Sequence, residues 1–191
     1  MRPAPSLARR CAALGVLLLG SAALLATSPP DYWGQDAVLQ GRTLWLDARA
    51  PEARRALRVV VTQPKEDEQE VEGWFRVDLS VRWLPPEGAT TAARPWVRAR
   101  LVRAGTPLEP EVLILEGTPG VGTLSVSTPL MFKPACVKQR RCEQSFQLEL
   151  DWQGGPVGGV LAVDWPATAY VHGSEDELVM PEGLEVRLTE P

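Results

Sequence analysis

The sequence predicts an all-β fold: an antiparallel β-sandwich of immunoglobulin-like or jelly-roll-like architecture, built from about nine short strands. Three observations predict it. Apolar and polar side chains take alternate positions in short runs through most of the chain. Clusters of Pro and Gly, which set turn geometry, separate those runs. Helical periodicity is nearly absent, and 18 prolines in 191 residues work against long helices.

In chain order, residues 1–28 read as a signal peptide or an N-terminal membrane anchor. Met1–Arg10 carries three arginines and no acid, and the apolar run Cys11–Ala26 ends at Thr27-Ser28-Pro29-Pro30. Ser21-Ala22-Ala23 offers the small residues that a signal peptidase reads. The run lies just below the roughly 17–25 apolar residues that span a bilayer, which favours cleavage over retention. Cys11 follows Arg10, with Ala8 three positions before it, a poor context for lipidation. Residues 29–42 (PPDYWGQDAVLQGR) read as a linker or strap, and 43–191 as a single sandwich domain.

Within that domain the clearest strand is Phe75–Trp83. Phe75, Val77, Leu79, Val81 and Trp83 share one face, while Arg76, Asp78, Ser80 and Arg82 share the other. Phe146, Leu148, Leu150 and Trp152 repeat the pattern against Gln147, Glu149 and Asp151. Shorter strands are expected at Leu44–Arg49, Leu57–Thr62, Trp96–Arg103, Val112–Glu116, Gly122–Ser127, Val160–Trp165 and Leu184–Thr189. Ala50–Ala56 (APEARRA) reads as the one helical turn. Lys65–Glu72 and His172–Glu177 are acidic and lack the residue order of a calcium loop, so both read as solvated hairpin tips.

Charge and cysteine usage bound the function. Beyond the leader, 17 basic residues face 24 acidic ones, a balance that disfavours general nucleic-acid binding. Cys136 and Cys142 are an even pair and predict a disulfide in an oxidising compartment: periplasm, outer envelope or extracellular space. Asn is absent, Ile occurs only at 114, and Arg far outnumbers Lys, a bias toward G/C-rich codons that points to a high-GC bacterial genome.

Motifs for catalysis are thin. His172 is the only histidine, and the sequence holds no nucleophile elbow, no HExxH and no phosphate-binding glycine loop. The expectation is a non-catalytic module for binding or structural interaction, with no cofactor and no metal. Its partner would be an envelope protein or a polysaccharide, and it would meet a membrane only through an uncleaved N-terminal segment. Trp83, Trp152 and Trp165 extend apolar faces and read as core. Trp45, Trp74 and Trp96 fall on polar faces, the latter two with Arg76 or with Arg98 and Arg100. Aromatic planes beside arginines suit stacking on sugars, so these residues are expected to cluster in one exposed patch, giving a carbohydrate-binding module as the first alternative. Arg140 and Arg141, inside the disulfide loop, form a second basic candidate. A small hydrolase working through carboxylates is the second alternative.

Overall fold

Twelve strands and no helix make up the described residues of a computed structural model, which are 34–63, 71–88, 95–116, 120–132, 136, 140–153, 158–173 and 183–191. The expected leader (1–28) and most of both acidic loops lie outside them. The strands form two antiparallel sheets packed face to face, a β-sandwich.

The first sheet is organised by β4 (Val71–Leu84), which alternates inward and outward as the sequence predicts for Phe75–Trp83 and extends beyond it to take in Val71 and Glu72, read in the sequence as part of a hairpin tip. Along one side β4 pairs with β8 (Gly120–Leu130) over its length. Along the other it pairs with β11 (Pro166–Gly173) and then β10 (Val160–Asp164) in one continuous register. Trp165 sits at the junction of those two strands. Outside them run β1 (Gln35–Gln40) against β11 and β2 (Leu44–Asp47) against β10. Between Gln40↔Pro166 and Leu44↔Val163 the outer chain takes one residue more than its neighbour, a bulge. Gly41 occupies it because nothing larger fits: a Cβ there would lie 2.0 Å from the Trp165 ring. The Trp165 indole N–H donates to the Arg42 carbonyl at 3.0 Å, which fixes the ring beneath the bulge.

The second sheet runs β12 (Glu185–Thr189), β3 (Glu52–Thr62), β9 (Arg141–Gln153) and β5 (Trp96–Arg103). The short strands β6 (Thr106–Pro107) and β7 (Glu111–Ile114) lie along the far side of β5. Inner faces of both sheets supply the core. Phe75 of β4 stacks on Phe146 of β9 across the sandwich, with centroids 4.5 Å apart. Trp83, Trp152 and Trp165 are buried around them, as expected from the apolar faces they extend. Cys136 and Cys142 form the expected disulfide, with Cα atoms 5.8 Å apart, and both are buried against the core.

Two expectations need correction. Ala50–Ala56 contains no helical turn: Glu52 onward is strand β3, with Arg54 opposite Glu149 and Arg55 opposite Leu148. A full ladder to β9 outweighs the weak helical propensity of a short segment. Residues 35–40, assigned by sequence to a linker or strap, are strand β1. Ala37 and Leu39 turn inward against the core while Asp36, Val38 and Gln40 turn out, an alternation too short and too weakly apolar to stand out.

Candidate functional site

The outer face of the first sheet carries the most exposed aromatic surface among the described residues. Pairing partners on β11, β4 and β8 fix its rows: Tyr170, Trp74 and Pro129 in one, then Thr168, Arg76 and Ser127 in the next on that face. Trp74 and Tyr170 stack with ring centroids 4.6 Å apart and planes 26° from parallel. His172 joins them, edge-on to Trp74 at 6.3 Å and tilted against Tyr170 at 5.8 Å between ring centroids. Gly34 makes room for this cluster, since a Cβ there would fall 2.1 Å from the Tyr170 ring. Despite the stack, Trp74 remains 48% exposed.

Trp45, 59% exposed, lies on the same face toward the other end. It pairs with Ala162, which pairs with Arg82, so the Trp45 row is eight positions along β4 from the Trp74 row. At the rise of an extended strand this is a separation of about 26 Å. Between the two rows β4 presents Arg76, Asp78 and Ser80. Arg76 is bound to Asp78, with its Nε–H donating at 2.7 Å. Beside Trp45 is a shallow depression of about 650 Å³, lined by Trp45, Asp47, Arg49, Leu84, Pro85 and Val160 among others. Asp47 closes the turn below it by accepting the backbone N–H groups of Ala50 (2.8 Å) and Arg49 (2.7 Å). These bonds, that from Ala50 foremost, hold the Asp47 carboxyl below its ordinary pKa.

Trp96 is elsewhere. It lies on the outer face of the second sheet, so the single patch of Trp45, Trp74 and Trp96 does not form. The correction has a simple cause: residue alternation says which side chains share a strand face, and nothing about which sheet the strand joins. Arg98 and Arg100 follow Trp96 on that second face, and carboxylates of β9 already hold them. Arg98 Nη2 reaches Asp151 at 2.5 Å, and Arg100 Nη2 reaches Glu149 at 2.6 Å. Arg54 joins the ladder at 3.6 Å from Glu149. The stretch of alternating charge is a self-satisfied surface network, not an open cation cluster. Arg140 gives its backbone carbonyl to the Gln63 N–H (2.8 Å), and Arg141 pairs with Glu143 at 3.3 Å. Tyr170 was not singled out in the sequence, and His172, read there as the start of a solvated hairpin tip, lies in strand β11; that strand is hard to read because Pro166 opens it and its inward side chains include the small Ala167 and Ala169. Among the described residues no group of three or more metal-ligating side chains forms.

No protein-family model and no curated protein matches this chain. Among solved structures it is similar to dimeric latent PorU from Porphyromonas gingivalis, at 11% identity and TM-score 0.39, over 73% of this chain and 13% of that one. It is also similar to the infectious bursal disease virus VP2 subviral particle, at 8% identity and TM-score 0.37, covering 81% and 36% of the two chains. A third likeness is to turnip yellow mosaic virus, at 16% identity and TM-score 0.30, covering 74% and 82%. The chain thus spans well under two thirds of the length of the first two.

Proposed function

We propose that this chain is a non-catalytic, exported binding module of the periplasm, outer envelope or extracellular space, working through the outer face of its first sheet. The observation that carries the reading is the presence of two exposed tryptophans, one braced by Tyr170 and His172, on a single sheet face where Val38, Leu84 and Val121 are exposed as well. Leaving a Trp in water forgoes roughly 2–3 kcal/mol of burial, and a partner that covers it recovers that energy. The partner is an envelope protein or a polysaccharide. Nucleic acid is disfavoured by the acidic balance and by arginines that carboxylates already neutralise. Contact with a membrane would run only through an uncleaved N-terminal segment.

Export is supported by the Cys136–Cys142 disulfide together with the basic, then apolar, N-terminal sequence. The non-catalytic reading is supported by Glu149 and Asp151, a carboxylate pair already engaged by the guanidinium groups of Arg100 and Arg98. Sedimentation with the isolated native envelope fraction tests the proposal. The wild-type protein is expected to pellet with the fraction, Trp74→Ala and Trp45→Ala to stay largely in the supernatant, and Arg98→Ala with Arg100→Ala to behave as wild type. Pelleting that ignores both tryptophans, or no pelleting at all, would remove the face from consideration.

A further inference from the structure

We infer that the partner of this face is an uncharged, extended glycan lying along β4 from Trp74 to Trp45, an inference that rests on the binding reading above and narrows its ligand. Three features of the face argue for it. The aromatic anchors stand about 26 Å apart along the strands rather than together; the β4 side chains between them, Arg76, Asp78 and Ser80, are polar, and the one large apolar side chain exposed there among the described residues, Val38, lies on the outermost strand β1. A protein interface has the reverse plan, with aromatic anchors near the centre and a polar rim around them. A long, thin, hydrated polymer needs what this face has: rings on which to lay the apolar faces of sugar units, and hydrogen-bonding side chains along the track between them. Ser80, Arg82, Thr168 and Ser127 supply hydroxyl and guanidinium groups there, and Arg76 with Asp78 supplies a donor–acceptor pair.

Charge decides the class of glycan. Asp36, Asp47, Glu72, Asp78 and Asp164 outnumber Arg49, Arg76 and Arg82 along this face, and Asp164 is already bonded to the Thr43 hydroxyl (2.5 Å). Such a surface repels phosphorylated or carboxylated polymers and anionic lipid headgroups. The sheet also resists deformation: Tyr170 is wedged over Gly34 and against Trp74, so the Trp74 ring is held in place before binding and loses little side-chain entropy on contact. Trp96, on the other sheet, takes no part.

The test uses the native envelope fraction in three forms: untreated, digested with a broad protease, and oxidised with periodate to cleave sugar diols. A glycan partner predicts that wild-type protein still sediments with the protease-treated fraction and no longer does so with the oxidised one. Trp74→Ala and Trp45→Ala should each weaken binding to the protease-treated fraction about tenfold, the loss of one desolvated aromatic anchor, and Trp96→Ala should leave it unchanged. Trp74→Phe, which keeps the stack on Tyr170, should retain part of the affinity and guards against an effect of misfolding. Binding abolished by protease but resistant to periodate, with the tryptophan dependence intact, would overturn the glycan and leave the binding face standing with a protein partner. Binding of every fraction independent of Trp74 and Trp45 would overturn both.

Discussion

At the scale of single residues, neighbours on β4 have opposite duties. Phe75 is fully buried and stacked on Phe146, whereas Trp74 stands half in solvent. Phe75→Ala should therefore cost about 3–5 kcal/mol, from lost transfer energy plus the cavity left behind. Trp74→Ala should cost only about 0.5–1.5 kcal/mol, the worth of one cross-strand aromatic pair. Urea unfolding of the two variants measures the contrast. Asp47 offers a second test. Its folded-state pKa is lowered, so its contribution is fully present above the unfolded value of about 3.9 and is lost as the pH falls through the lower folded value. The stability gap between wild type and Asp47→Ala should thus be constant near neutrality and shrink in acid, as read by unfolding midpoints across the pH range. A gap that widens in acid would contradict the two backbone bonds assigned to this carboxylate.

At the scale of elements, the hairpin joining β5 to β6 turns through Ala104 and Gly105, both at positive φ (48° and 80°). Asn is the favoured first residue of such a turn, and this chain contains none. Ala104→Asn is expected to raise stability by about 0.5–1 kcal/mol, seen as a shift of the thermal midpoint upward. Strands β4 and β9 could be read because each sets four or five large apolar side chains on one face with polar ones opposite. Strand β11 could not, because its inward residues are mostly alanines; nor could β1, whose inward pair is Ala37 and Leu39. The three-ring cluster depends on β11, so half of the candidate site lay in a strand whose sequence gives no strong periodic signal. Arg98 and Arg100 were legible as a cationic stripe, and Glu149 and Asp151 as an acidic one. That the two stripes face each other is a matter of strand order, which alternation within a strand does not encode.

For the whole molecule, the sandwich has its hydrophobic core between two sheets and its chemistry on their outer faces, with one sheet neutralised by its own ion pairs and the other left with exposed rings. The disulfide closes a short loop onto the core, and replacing both cysteines with alanine should lower stability by about 2 kcal/mol in the chain-entropy picture. Protein recovered from its native host should show no free thiol at 136 or 142, by alkylation and mass spectrometry; free thiols there would withdraw the exported address. The most direct test of the central claim is fluorine NMR of the protein labelled with 5-fluorotryptophan and titrated with native envelope material. The resonances of Trp45 and Trp74 should shift or broaden together as the titration saturates, while those of Trp83, Trp96, Trp152 and Trp165 hold their positions. Movement of the Trp96 signal with Trp45 and Trp74 unperturbed would place recognition on the other sheet and contradict the account.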